Sequence, residues 1–131
     1  MPPMIHDDQP LEKWRDGVIT RMRISAVLGS KQLCVFDQFC DYGLGAPTHI
    51  HAVEEILEVI DGVAEIWLEK DKMIVRANQS VLIPAGAKHG FRNIEQKVLH
   101  VRASLAASIF EASYEDRAEI SRRSSPSFDI A

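Results

Sequence analysis

Three histidines and one glutamate are spaced along the chain in a way that suits a metal site. His49, His51 and Glu55 share one short stretch, and His89 follows in a second. Imidazole nitrogens and carboxylate oxygens suit first-row transition metals, and an octahedral ion held by four protein ligands keeps two open positions. Such an ion can polarise a bound carbonyl or carboxylate, lower the pKa of bound water or, if it is iron, activate dioxygen. A loosely held Glu55 could leave the metal and serve as a general base.

These four residues can meet only if separate strands carry them into one interior. Side chains alternate faces along a strand, so His49 and His51 point the same way. The apolar run after Glu55 predicts a second strand, and a tight connection before it would fold the carboxylate back beside the histidines. His89 follows the turn at Pro84–Gly86 and predicts a third strand. Together they describe a small β-barrel with a metal inside it.

A plainer interpretation stays open for each of these residues taken alone. A single buried histidine is more often a hydrogen-bonded core residue than a metal ligand. Glu54, Glu55 and Glu58 could likewise form the solvated side of a strand. The joint pattern of the two stretches favours the metal site.

The two stretches resemble the motifs of the cupin family. The first motif is a glycine, five residues, His-x-His, three or four residues, a glutamate, six residues and a glycine. The second is a glycine, five residues, Pro-x-Gly, two residues, a histidine, three residues and an asparagine. The chain matches nine of these positions: Gly43, His49, His51, Glu55, Gly62, Pro84, Gly86, His89 and Asn93. It departs at the leading glycine of the second motif, which is Asn78, and asparagine best tolerates the positive φ that this turn is expected to need.

The resemblance covers about residues 30–104 and implies a double-stranded β-helix, the jelly-roll barrel of cupins. It implies one divalent transition metal bound by His49, His51, Glu55 and His89, with iron, manganese, nickel, zinc and copper all left open. Gly86 and Asn93 are expected to be structural, the glycine shaping the turn and the asparagine capping local backbone groups.

Two functions follow from this resemblance. Small single-domain cupins with all four ligands resemble metal-dependent dioxygenases, isomerases, decarboxylases and lyases that act on small oxygenated or carboxylate-bearing molecules. The alternative is a module that binds or senses a small ligand or a metal without turnover. A metal-free structural barrel is disfavoured because all four ligand positions are filled. A homodimer is expected, since many cupins dimerise and two-fold dimers are the commonest oligomers.

Composition indicates a single globular domain. The 131 residues are 46% hydrophobic and 26% charged, with a net charge of −4. This acidic balance disfavours a nucleic-acid partner, because phosphate backbones attract basic surfaces. The chain shows no apolar run of transmembrane length and no signal-peptide pattern at its N-terminus, so a cytoplasmic location without a membrane partner is expected.

The two cysteines fit that location. Cys34 and Cys40 lie in one predicted strand, roughly 20 Å apart when extended, which no disulfide can bridge. They are expected to be reduced and buried, with a cross-linked or redox-active thiol as the less favoured alternative.

Short strands separated by turns, with almost no helical period, predict an all-β fold independently of the motifs. The barrel core is expected at about 17–106, with strands at 18–27, 32–39, 63–68, 73–75, 81–83 and 98–105. Residues 1–16 form a polar lead-in, with Trp14 covering one end of the core. Residues 111–131 form an extension in which 114–123 could form a short helix capped by Ser113, followed by a loose tail. The extension is interpreted as a frayed terminus or as a dimer arm.

The predicted strands also carry polar residues that could contact a ligand near the metal. The alternation of side chains along a strand does not by itself say which of them face the barrel interior. On the last strand His100, Arg102 and Ser104 share one face. If that face lines the barrel, Arg102 could hold a substrate carboxylate with two hydrogen bonds and favour acidic substrates. Of Asp37 and Gln38, one must face inward.

Overall fold

The computed structural model describes residues 2–115, 120–125 and 128–129, and these residues form two antiparallel β-sheets. The six strands of the first sheet are, in spatial order, β1 (Glu12–Arg15), β2 (Val18–Ile24), β3 (Cys34–Cys40), β10 (Leu99–Leu105), β5 (Glu55–Asp61) and β8 (Gln79–Ile83). The seven strands of the second are β13 (Phe128–Asp129), β12 (Ile120–Ser125), β11 (Phe110–Tyr114), β4 (Gly45–Ile50), β9 (His89–Asn93), β6 (Val63–Leu68) and β7 (Asp71–Arg76). Two single 3₁₀ turns span His6–Asp8 and Ala26–Leu28.

Strands that follow one another along the chain lie mostly in opposite sheets. From β3 to β6, and again from β7 to β11, each connection crosses from one sheet to the other. Two sheets joined in this way form a jelly-roll barrel with its core between them. The all-β, double-stranded β-helix prediction is therefore confirmed.

Alternate residues of the central strands fill the space between the sheets. On β10 the inward side chains are Leu99, Val101, Ala103 and Leu105, each no more than 2% exposed. Leu57 of the neighbouring strand β5 is buried to the same degree. Apolar residues alternate with polar ones along β10, so all the apolar side chains lie on one face of the strand. That face becomes core because burying apolar surface away from water is favourable.

The turn before β8 contains the residue that departs from the cupin motif. Asn78 has a φ of 68°, in the left-handed region, as predicted from its place where the motif has glycine. At the end of the first motif, Gly62 has a φ of 97°, and a Cβ there would lie 3.2 Å from the Cα of Leu99. Both turns bring the next strand back over the core.

The two ends of the chain differ from the sequence expectation. The lead-in contributes β1, an edge strand paired with β2, and Trp14 packs against the core as predicted, with ring centroids 5.6 Å from Phe36 and 4.8 Å from Phe110.

The extension after residue 110 was expected to be a frayed terminus or a short helix, but the structure forms β11, β12 and β13 there. The short helix expected at 114–123 is wrong where the structure describes these residues, because Tyr114 ends β11 and 120–123 belong to β12. Its middle, 116–119, lies outside the described residues, as do 126–127 and 130–131 of the expected loose tail. β11 pairs with β4 of the barrel, so the barrel core extends beyond residue 106.

Cys34 and Cys40 are both free and buried, as predicted. Burial raises the pKa of each thiol to about 12. No helix in the described part of the chain is long and apolar enough to cross a membrane.

Candidate metal centre

Strand β4 delivers the two histidines of the first motif. His49 is the fifth residue of this strand, and His51 follows directly after its end. Both are buried, with 6% and 2% of their surface exposed. Their Nε2 atoms lie 3.2 Å apart, and their ring planes are inclined at 81°. The prediction that the two imidazoles point to one interior is confirmed.

Two further strands bring the other two residues to the same point. Glu55 is the first residue of β5, and His89 is the first residue of β9. Glu55 Oε1 lies 2.9 Å from His89 Nε2 and 3.5 Å from His51 Nε2. Taken together, one ligand atom from each of the four residues lies within 4.8 Å of all the others. The sequence pattern therefore located four side chains that do converge.

Backbone carbonyls orient all three imidazoles. The Nδ1 atom lies 2.7 Å from the Pro47 carbonyl oxygen in His49, 2.6 Å from that of Glu111 in His51, and 2.9 Å from that of Ala87 in His89. A carbonyl oxygen only accepts, so each ring must donate from Nδ1–H, which leaves the Nε2 lone pair directed at the centre. This arrangement fixes the ring orientation that metal-binding histidines require.

The Nε2 atoms of the histidines and the Glu55 carboxylate crowd together at the centre. With each proton on Nδ1, the short approach of His49 Nε2 to His51 Nε2 sets one lone pair against another. Glu55 Oε1 and His89 Nε2 are also buried without a hydrogen-bond partner among the described residues. Buried polar atoms without a partner call for an ion or water. The donor set of three nitrogens and one carboxylate oxygen fits a first-row transition metal.

Electrostatics at the centre favour the metal-binding form of the histidines. Burial lowers the pKa of His49 to about 2, assisted by the neighbouring His89 and His51. Burial also lowers the pKa of His51, although Glu55 opposes that shift. Neutral imidazole is the form that coordinates a metal, so these two rings need not lose a proton first.

The four residues line a small cavity between the sheets. The centre of a water-sized sphere can occupy about 20 Å³ of it, which is room for about one water molecule or an ion. Its walls are mainly apolar, and its other polar side chains belong to Arg15, Gln38 and Tyr114. An adjoining outer pocket of about 310 Å³ shares Arg15, Ala46 and Phe91 with the cavity.

Strand pairing decides the candidates that sequence parity left open. Gln38 lines the cavity, whereas Asp37 lies on the opposite face of the first sheet. Arg102 pairs in register with Asp37, and its Nε donates to Asp37 Oδ1 at 2.7 Å. The expectation that Arg102 holds a substrate carboxylate in the barrel is therefore corrected. His100 and Ser104 share the outer face of β10 with it, because Leu99, Val101, Ala103 and Leu105 occupy the core face.

Asn93 fulfils the structural role expected of it. Its Nδ2 donates to the carbonyl oxygens of Cys40 at 3.0 Å and Lys97 at 2.8 Å, and its Oδ1 accepts from Glu95 N at 2.9 Å. Gly86 has a φ of 79°, the conformation that shapes the turn before His89.

Two polar residues of the cavity were missed by sequence reasoning. Arg15 was placed in the polar lead-in and Tyr114 in the C-terminal extension. Both lie on strands outside the two motifs, and no spacing relates them to the histidines. Arg15 Nη2 donates to Tyr114 Oη at 2.7 Å across 99 residues of sequence. The one local hint is that Arg15 and Lys13 flank the core residue Trp14.

Comparisons with known proteins agree with this architecture. The cupin domain family model matches residues 41–106, and no curated protein sequence matches the chain. KdgF from a Halomonas species has a similar structure, with a TM-score of 0.69 and 19% identity over 78% of this chain and 92% of that one. The polyketide cyclase RemF from Streptomyces resistomycificus has a TM-score of 0.71 and 17% identity over 94% and 84%. The oxalate decarboxylase of Lactobacillus farciminis has a TM-score of 0.73 and 15% identity over 83% of this chain and 34% of that one. Likenesses at these identities show a shared fold.

Proposed function

Because this chain belongs to the cupin domain family, we propose that it is a metal-dependent enzyme acting on a small oxygenated or carboxylate-bearing molecule. In this proposal His49, His51, Glu55 and His89 hold one divalent transition metal. The observation that carries it is the buried cluster of their donor atoms, in which Glu55 Oε1 and His89 Nε2 have no hydrogen-bond partner among the described residues. A cation at that point would satisfy all four donors at once.

The residues around the centre have distinct tasks in this proposal. When bound, a divalent transition metal supplies Lewis acidity and open coordination positions. Backbone carbonyls accept the Nδ1–H protons of the three imidazoles and fix the rings with Nε2 directed at the centre. Glu55 balances part of the positive charge, and its carboxylate is the group placed to take a proton from a bound ligand. The apolar walls exclude bulk water and strengthen these interactions.

The reaction type is left open among oxidation, decarboxylation, isomerisation and lyase chemistry. The similar structures include a polyketide cyclase and an oxalate decarboxylase, and the shared barrel supports different reactions in different proteins. Iron, manganese, nickel, zinc and copper all accept this ligand set.

A second candidate function is a module that binds a ligand or a metal without turnover. The small cavity favours it, since about 20 Å³ admits an ion but little substrate beside it unless side chains move. The two functions differ in one result: an enzyme consumes a ligand that the module only retains.

Elemental analysis of the purified protein tests the metal centre. We expect about one equivalent of a transition metal in the wild type and loss of most of it in His51→Ala. Glu55→Gln keeps the side-chain shape and serves as a second variant if His51→Ala does not fold. His6→Ala is the matched control, because His6 lies outside the cluster and bonds Gln9 at 2.8 Å.

A substrate screen follows on the metal-loaded protein, with and without dioxygen. Turnover lost in the folded, metal-depleted variant supports the enzyme, and tight binding without turnover supports the module. A wild type that takes up none of the five metals after reloading would contradict the metal-dependent enzyme and leave only a module that binds a small ligand.

We further propose a cytoplasmic homodimer, as expected for a small cupin. Sedimentation equilibrium measures its mass directly, and a single species of 14.7 kDa would contradict the dimer.

A further inference from the structure

Arg15 lies in the wall of the cavity that holds the four candidate ligands. Arg15 is the last residue of the edge strand β1, and it lines the cavity together with His49, Glu55 and Gln38. Its Cζ atom lies 5.1 Å from the centroid of the Tyr114 ring, and that ring lies 5.3 Å from the ring of His49. A permanent positive charge thus stands one aromatic ring away from the proposed metal.

This charge is not neutralised by a carboxylate of the described residues. One arm of the guanidinium, Nη2, donates to the hydroxyl of Tyr114 rather than to a carboxylate. The other arm, Nη1, is buried and has no hydrogen-bond partner among the described residues. Asp16, next in sequence, pairs with Lys13 at 3.0 Å instead. A buried, unpaired donor on a cation is costly, and a native site that keeps one usually offers it to a ligand.

Charge balance points to the sign of that ligand. A divalent ion and the Glu55 carboxylate leave the centre with one excess positive charge, and Arg15 adds a second. A monoanion or dianion beside the ion would offset this excess, whereas a cation would be repelled. Arginine is also the side chain best suited to bind a carboxylate with two parallel hydrogen bonds.

We propose that Arg15 binds the carboxylate of the ligand through its free Nη1 arm and thereby selects small carboxylic acids over neutral molecules of the same shape. This proposal rests on the proposed function, since it places the ligand beside the metal held by the four cavity residues. Arg15 is a specificity-determining residue in this role, the role that sequence reasoning gave to Arg102.

The position of Arg15 between two spaces also indicates where the ligand enters. Arg15, Ala46 and Phe91 line both the cavity and the outer pocket of about 310 Å³. That volume is at the lower end of the range for small-molecule pockets. An acid entering through the outer pocket therefore meets Arg15 before it reaches the centre.

Calorimetric titration of the zinc-loaded protein tests this proposal without requiring turnover. The probes are glycolate and its neutral analogue glycolamide, which have nearly the same shape. We expect the wild type to prefer glycolate, and Arg15→Gln to weaken glycolate binding about 10- to 100-fold, the size of a hydrogen bond to a charged group. Glycolamide affinity should change little. Arg15→Lys, which keeps the charge but not the fork, should give an intermediate preference.

Arg92→Gln is the matched control variant. Arg92 lines only the outer pocket and pairs with Glu65 at 3.1 Å, so its loss should leave the preference for glycolate unchanged. Zinc content and the urea midpoint are measured on every variant, which separates loss of the ligand site from loss of the metal or of the fold.

Three results would overturn the role of Arg15. The first is a wild type that holds zinc but binds neither glycolate nor oxalate at millimolar concentration. The second is an Arg15→Gln protein that still prefers glycolate as the wild type does. The third is equal weakening of glycolate and glycolamide in that variant, which would indicate a structural role. A wild type that binds no zinc refutes the metal centre instead. The carboxylate-binding role of Arg15 is then retained only if the metal-free protein prefers glycolate and loses that preference in Arg15→Gln.

Discussion

Replacing Asp37 with asparagine should destabilise the fold strongly, although Asp37 lies on the face of the first sheet that points away from the cavity. Asp37 is 2% exposed. Its Oδ2 accepts from Arg23 Nη1 at 2.9 Å, its Oδ1 accepts from Arg102 Nε at 2.7 Å, and His100 Nε2 lies 3.4 Å away. Asparagine has the same shape, but it removes the charge and turns an N–H₂ group toward a guanidinium.

The size of the effect follows from burial. Hydrogen bonds to charged groups contribute about 1.5–3 kcal/mol each, and removing one member of a fully buried ion pair costs about 3–5 kcal/mol. The side chains of Arg23 and Arg102 are 24% and 31% exposed, so water can partly replace the lost carboxylate. We therefore expect a loss of about 2–4 kcal/mol in the free energy of unfolding. For a chain of 131 residues this lowers the Tm by about 7–15 °C.

Urea unfolding of wild type, Asp37→Asn and Asp61→Asn measures this loss. The control removes an acid from an exposed pair, Asp61 with Lys97 at 2.7 Å, and should leave the urea midpoint within error. If Asp37→Asn shifts the midpoint no more than the control, the buried cluster does not stabilise the fold and the reasoning is wrong.

The pH dependence provides an independent check on the same residue. Burial alone would raise the pKa of Asp37, but the contacts with His100 and Arg102 and the charge of Arg23 outweigh it and hold this pKa well below its usual range. A lowered folded-state pKa gives stability that is present above the unfolded pKa of about 3.9 and is lost as the pH falls below it. The difference between wild type and Asp37→Asn should therefore shrink below about pH 4, and a constant difference would contradict the assigned charge.

Three further outcomes are expected. Arg102→Met should lower the urea midpoint but keep wild-type metal content and glycolate affinity, because Arg102 contacts Asp37 and not the cavity. Weaker glycolate binding by this variant would show that Arg102 does take part in ligand binding. Asn78→Val should cost about 1–2 kcal/mol in urea unfolding, while Asn78→Gly is tolerated, because a φ of 68° penalises a β-branched side chain; equal stability of the two variants would contradict this. Cys34 and Cys40 should react with DTNB near neutral pH only after unfolding, because burial raises the pKa of both thiols to about 12; fast labelling of the native protein would show an opening of the core.

Asp37 with its partners Arg23, Arg102 and His100 lies on one side of the first sheet, and the cavity lies on the other side. Gln38 faces the cavity and its neighbour Asp37 faces outward, so changes at adjacent positions should affect different properties. Loss of stability is expected from one face and loss of ligand binding from the other.

The sequence by itself determined the four converging side chains and the all-β architecture. His49 and His51 share a strand, so their common direction follows from a period of two residues. Asn78 could be placed at a positive φ because only a few residue types tolerate that conformation. These properties are local, and they are encoded within a few residues of where they act.

The tertiary structure alone decided which other residues meet the centre. Asp37 and Gln38 are both polar within a mixed strand, and only the pairing of β3 with β10 places one outside and the other inside. Arg15 and Tyr114 come from strands of different sheets, 99 residues apart in sequence, and meet in the wall of the cavity that both residues line. No local pattern encodes that contact, since it arises when the two sheets pack together.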